Sequence, residues 1–213
     1  MNNGELQREV KALVQDGSAE VLVSVQDYVN EAVQAIAEEV KLPSLKRVFS
    51  LTTSTSLYYI STATAASFSG KLTYVGDSTQ EYSILDGGLE SLLRLHPDVT
   101  EAGDIDYVVL EGSLLYYLPI PATAVTLTCI GYNFPATLVN QTDEPSDIPS
   151  FYHREAIVNK AASIAYSVIE AGASEEDKVN TKIFAGLAEG GINKIRAWAV
   201  RRRSNVVISY WKY

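Results

Sequence analysis

The chain reads as an α+β protein: a helical bundle built from both chain ends, with an antiparallel β-sandwich or barrel-like domain inserted between them. Three observations predict this. Apolar residues recur at helical spacing before Pro43 and after Pro149,. The stretch between is dense in Thr, Ser, Tyr, Val and Gly, with short apolar or alternating runs,. The join from Leu114 to Ala156 runs strand, Pro-punctuated turn, strand, loop and helix. The expected domains are 1–43 with 150–200 for the bundle, 44–149 for the β insert and its connecting loop, and 201–213 for a C-terminal docking tail. With 213 residues, 46% of them apolar and 20% charged, the chain is long enough to bury a core,.

From Glu5 to Gln15, the residues Leu6, Val10, Leu13 and Val14 keep helical spacing, and Gly17 marks the stop,. Ser18 is the expected N-cap of a second helix, in which Val21, Leu22, Val25, Tyr28, Val29, Ala32, Val33, Ile36 and Val40 repeat at threes and fours up to Pro43,. As one helix of about 23 residues it would span roughly 35 Å. Strands are expected near 46–52, 56–61, 71–75, 80–84, 105–110, 114–118 and 125–132. A helical turn from Gly88 to Leu95, ended by His96 and Pro97, interrupts them,. Pro119 and Pro121 cannot donate ladder hydrogen bonds, which fixes the turn between the last two strands.

Pro135, Pro145 and Pro149 keep the connection to the third helix extended, and Asp143, Glu144 and Asp147 stand where carboxylates complement the positive end of its dipole,. Tyr152, Ala156, Ile157, Ala161, Ile164, Ala165, Val168 and Ile169 carry that helix to near Gly172,. Ser174 with Asp177 resembles a capping box opening a fourth helix with Val179, Ile183, Phe184, Leu187, Ile192, Ile195 and Trp198,. Gly186, Gly190 and Gly191 weaken it by up to about 1 kcal/mol each relative to Ala, which implies a close neighbour or a bend.

The net charge of −9 hides an asymmetry. Of 17 basic side chains, Lys194, Arg196, Arg201, Arg202, Arg203 and Lys212 fall after Asn193, where there is no Asp or Glu, so all 26 acidic residues lie in the rest. An acidic body is a poor general binder of nucleic acid. No apolar run approaches the roughly 20 residues that cross a bilayer, and Met1 is followed by NNGELQREV, without the apolar stretch of a secretory signal,. Synthesis in a cytoplasm and no membrane partner are expected.

Cys129, in the run VTLTCIGY, reads as a buried structural thiol,. His96 reads as a polar helix end, and His153 as a packing group or a contact to the preceding loop. No Cys, His or carboxylate spacing completes a triad or metal site, and the Asp143, Glu144 and Asp147 loop lacks the alternating ligands of a calcium loop. No catalytic residue, cofactor or metal is therefore expected, and the chain is not expected to be an enzyme.

Several elements, in order, carry a resemblance. Phe49 and Leu51 precede a Tyr58-Tyr59 pair. Phe68-Ser-Gly70, ESLLRLHP, Leu110-Glu-Gly112 and Leu118-Pro119-Ile-Pro121 come next, and the Tyr132 to His153 segment follows with its D-E-P, I-P and Y-H elements. Over roughly residues 20 to 198 this order resembles the head-to-tail adaptor proteins of tailed bacteriophages. The resemblance implies a virion structural protein made in the host cytoplasm and placed at the neck. It would form a twelve-subunit ring with copies of itself, bind the portal protein on one side and a tail or nozzle protein on the other, and let genome DNA pass without specific binding. An acidic lumen, which repels phosphate, fits such passage.

The segment AVRRRSNVVISYWKY is the sharpest local feature. Val206, Val207 and Ile208 are β-formers, while Trp198, Arg201, Arg202, Arg203, Tyr210, Trp211 and Tyr213 are residue types that anchor interfaces with the portal or a neighbour. A tail that adds a strand to a neighbour or fills a groove is expected, against a tail packed on its own β domain. Arg201 to Arg203 on DNA is disfavoured because interleaved aromatics suit single strands and the genome is duplex. The alternative function is a non-catalytic β-rich binding or tail-associated decoration module. For it Tyr58, Tyr59, Tyr116 and Tyr117 would form a platform, although consecutive strand residues point to opposite faces.

Overall fold

In the computed structural model, residues 1–14, 19–64, 68, 70–174 and 176–208 are described. In chain order they form α1 (Asn3–Leu13), α2 (Ala19–Val23), α3 (Val25–Glu39), β1 (Lys46–Thr52), β2 (Tyr59–Ser61), β3 (Gly70–Gly76), β4 (Ser83–Ile84), α4 (Gly88–Leu95), β5 (Tyr107–Glu111), β6 (Leu114–Leu118), β7 (Thr126–Asn133), α5 (Asn159–Ile169) and α6 (Val179–Ile208). The protein is mixed α+β, with helices and two sheets. Two compact units divide it: Met1–Ser44 with Pro135–Tyr213, and Leu45–Phe134.

In the first unit α1 starts two residues before the expected helix because Asn2 caps it. The Asn2 side chain accepts from the Glu5 amide at 2.9 Å, and the Glu5 carboxylate accepts from the Asn2 amide at 2.9 Å, a complete capping box,. The next two amides of this helix start donate to the loop, Asn3 to the Asp143 carbonyl and Gly4 to the Gln141 carbonyl. The long second helix is corrected. It breaks at Ser24 into α2 and α3, and the expected N-cap Ser18 lies outside the described residues. Two β-branched valines flank a serine there, a run with little helical preference,. What remains as α3 spans about 22 Å.

The third helix is also corrected. It opens as a 3-10 turn, Ser150–Tyr152, and passes through a π-helical segment, His153–Val158, before α5. The fourth starts at Val179, not at Ser174. Ser174 donates its hydroxyl to Asp177 at 2.7 Å and closes a turn of its own. The start of α6 is instead served from the C-cap of α5: Glu170 accepts from the Asn180 amide at 3.2 Å, the Thr181 amide at 3.1 Å and the Thr181 hydroxyl at 2.6 Å. Helices α3 and α6 both pack on α5, and α1 packs on α3 and α5. The buried side chains of this unit include Leu6, Val10, Val29, Ile36, Ile157, Ala161, Ala165, Ile192 and Ile195.

The second unit holds a three-stranded sheet in the order β1-β7-β3 and a four-stranded sheet in the order β2-β6-β5-β4. The β1 ladder pairs Lys46 with Tyr132 through Thr52 with Thr126, and β3 pairs with β7 across a register shift between Leu72 and Tyr74. The purely antiparallel expectation is corrected at one edge, where β4 pairs parallel with β5. One core draws on both sheets: Leu51, Leu72, Val75, Leu127 and Cys129 from the first, Val108, Leu115 and Tyr117 from the second. Alternation along β5 and β6 sends Val109 and Leu118 to the other side, where Leu92 of α4 joins them,.

Candidate functional site

Among the described residues, Cys129, His96 and His153 each occupy a structural position. Cys129 is fully buried among apolar side chains, which pushes its thiol up to about 12, so it carries no thiolate at neutral pH,. His96 sits at the end of α4, with Nδ1 2.9 Å from Glu101 Oε2 and its ring beside Tyr107. His153 is buried; its Nε2 lies 2.7 Å from the Ile148 carbonyl, so it ties the helix start to the preceding loop. Desolvation holds its pKa below the usual imidazole value, against the opposing pull of the Ile148 carbonyl,.

Asp143 has nearer partners than a helix end. Its Oδ2 accepts from the Val139 amide at 2.8 Å and the Asn140 amide at 2.7 Å, so it closes the loop on itself. Those amide bonds, Asn140 first, hold its carboxyl below the usual range. The loop in turn receives α3: Gln26 and Asn30 donate side-chain amides to the Leu138 carbonyl, each at 3.1 Å. Among the described residues, no group of three or more His, Cys, Asp and Glu side chains is placed to hold a metal ion.

The tyrosines divide as strand alternation requires. Tyr117 points into the core, where its hydroxyl donates to the Leu57 carbonyl at 2.7 Å and accepts from the Ser54 amide at 2.7 Å. Tyr116, Tyr58 and Tyr59 gather on the other face, with ring centroids 5.5 to 6.1 Å apart. Tyr58 and Tyr116 pack against the Leu92, Val109 and Leu118 cluster. These rings are wall more than platform.

The C-terminal segment differs from its expectation. Helix α6 continues through Ile208, so Arg201, Arg202, Arg203 and the β-formers Val206 to Ile208 are helical, and no extended strand begins there. Six uninterrupted turns of helix before them outweigh the local β preference, since propagation adds one bond per residue once the helix exists. Arg202 lies over the Trp198 ring, 5.4 Å from its centroid, and Arg201 is exposed. Tyr210, Trp211 and Tyr213 lie outside the described residues.

Sequence reading missed the faces of the first unit. The core side of α6 is Ala188, Gly191, Ile192, Ile195 and Ala199; turned away from it are Val179, Ile183, Leu187 and Val200, all more than half exposed. A Cβ at Gly191 would meet the Glu155 carbonyl carbon and oxygen at 2.7 Å and the Ala156 nitrogen at 2.8 Å, so this glycine lets α6 lie on the π-helical segment. Nothing lies within 4 Å of a Cβ at Gly186 or Gly190. On α3, Asp27, Glu31, Gln34 and Glu38 form the exposed row opposite the buried Val25, Val29, Ala32, Val33 and Ile36,. A signal was present in the charges of α3 and the apolar excess of α6, but only packing tells which side is free.

No helix among the described residues is long and apolar enough to cross a membrane. No curated protein matches the chain. The profile of one family, described as SU10 adaptor protein, matches residues 1–209, nearly the whole sequence. An uninterrupted match of that extent takes in both compact units and agrees with the head-to-tail adaptor resemblance read from residue order, and on it the chain belongs to the SU10 adaptor protein family, a family of structural phage adaptors.

Proposed function

We propose that this chain is the subunit of a homo-oligomeric ring, of about twelve copies by the resemblance, that joins the portal to the tail at the virion neck and extends the DNA channel. The family match over residues 1–209 carries the reading. The helical unit, built from both chain ends, supplies the ring contacts. Trp198, Arg201, Arg202, Arg203, Tyr210, Trp211 and Tyr213 are the residues proposed to meet portal or neighbour. The helical continuation of α6 through Ile208 changes the mode: the basic stretch Arg201 to Arg203 is presented on a helix, which enters a groove,.

The net charge of −9 supports passage of DNA without retention, because like charge in the bore keeps phosphates off the wall,. The chain carries no chemistry in this reading, and host-cytoplasmic synthesis precedes assembly. Electron microscopy of the protein mixed with its cognate portal tests the proposal. Closed rings seated on portal are the expected result.

A further inference from the structure

We propose that the acidic outer face of α3 in one subunit packs against the basic and apolar outer face of α6 in a second copy of this chain, head to tail. This inference rests on the ring-forming reading and names the surfaces that make the ring. Its first support is direction. Tyr166 of α5 donates its hydroxyl to the Leu13 carbonyl, just ahead of α2, and stacks on Phe184 of α6 at 5.4 Å. At the other end Arg196 of α6 pairs with Glu39 of α3, and Lys194 with Glu155 at 2.6 Å. Helices α3 and α6 therefore both run antiparallel to α5 and parallel to each other, with Val23 near the level of Val179 to Phe184 and Glu39 near the level of Arg196.

The second support is complementarity at matched levels. Side-by-side repetition of the unit without a change of level sets α6 of one copy along α3 of the next, still parallel. Asp27 and Glu38 are separated by 11 residues, about 17 Å of helix; Lys182 and Lys194 are separated by 12, about 18 Å,. Asp27 then lies at the level of Lys182 and Glu38 at the level of Lys194, the two lysines flanking the strip of Val179, Gly186 and Gly190 on either side,. Apolar ends also coincide: Val23, 83% exposed, and Val139, 67% exposed on the loop held by Gln26, face Val179 and Ile183, each 52% exposed. Gly186 and Gly190, open on this face, allow the neighbouring backbone to come close,.

A contact between two different faces of one chain is heterologous, and it closes into a ring when its rotation closes. A pairing of α6 with α6 would instead be two-fold and would leave the acidic outer face of α3 without a partner,. The ion pairs lie at the rim and fix register and partner, while the apolar ends are desolvated.

Two charge-reversal variants test the pairing, Asp27→Lys with Glu38→Lys and Lys182→Glu with Lys194→Glu, and Glu155→Gln, which removes the bridge that Lys194 makes within its own subunit, is the control expected to assemble like wild type. Wild type, each variant alone and an equal mixture of the two are compared by mass photometry and electron microscopy, alone and with cognate portal. Each reversal variant alone is expected to need about tenfold or more protein for assembly. The mixture is expected to recover wild-type assembly, because reversed α3 faces then meet reversed α6 faces and native faces meet native ones. Circular dichroism and melting confirm the fold, and the milder Asp27→Asn with Glu38→Gln variant gives a graded loss if a reversal unfolds the unit. Reversal variants that assemble like wild type overturn the face assignment, as does a mixture that shows no recovery. Wild type that forms no ring, alone or on portal, overturns the ring reading as well, so the two failures are distinguishable.

Discussion

Three glycines of α6 that look alike in sequence separate sharply once neighbours are known. Gly191→Ala places a methyl 2.7 Å from the Glu155 backbone, and overpacking of this kind costs about 1–3 kcal/mol,. Gly186→Ala meets nothing within 4 Å and gains helix propensity, so it should stabilise the subunit by about 0.5–1 kcal/mol,. Thermal melting of the two variants checks the opposite signs. His153 gives a second residue-level prediction. Its folded pKa is depressed by burial, so between the unfolded value near 6.5 and the folded value the unfolded chain binds the proton and the native state does not,. Stability is thus full above about pH 6.5 and falls as pH drops toward the folded pKa. Melting from pH 7.5 to 5.0 should show this acid-side loss, and the imidazole resonances should titrate below the ordinary histidine range. A His153 resonance titrating at or above that range would contradict it.

At the scale of elements, the α6 start depends on Glu170, ten or eleven residues away on the previous helix. Hydrogen bonds from Thr181, its hydroxyl first, hold the Glu170 carboxyl below its usual range. Stability tied to this group is present above the unfolded carboxyl pKa and is lost as pH falls through the folded one. Glu170→Gln should therefore lower the melting temperature at pH 7, with the difference from wild type shrinking in acid; an unchanged temperature at pH 7 would remove the cap from the account. This contact was not legible in the sequence, because capping signals are sought within three residues and Ser174 with Asp177 offered a closer imitation. The strands β1 and β6 were legible to the residue, while those expected at 56–61 and 80–84 shorten to Tyr59–Ser61 and Ser83–Ile84. The break at Ser24, the parallel β4 edge and the π-helical opening at His153 were not legible, since each is fixed by the surface against which the segment packs.

For the whole molecule, residue order carried the family, and the interaction surfaces appeared only after packing. The tail segment after Ala199 drew attention for its composition, while the Val179, Ile183 and Leu187 face was hidden inside a pattern that reads as ordinary helix core. That face leads to a further prediction: Ile183→Asp with Leu187→Asp leaves the monomer fold intact, since both side chains are about half exposed, but weakens assembly by about tenfold or more through the lost apolar contact,. Sedimentation velocity across a concentration series reads the change. The central claim, a ring-forming adaptor between portal and tail, is tested most directly by electron microscopy of wild-type protein mixed with cognate portal. The account predicts closed rings seated on portal with subunits side by side. Monomers that never bind portal, at any concentration tried, would contradict it.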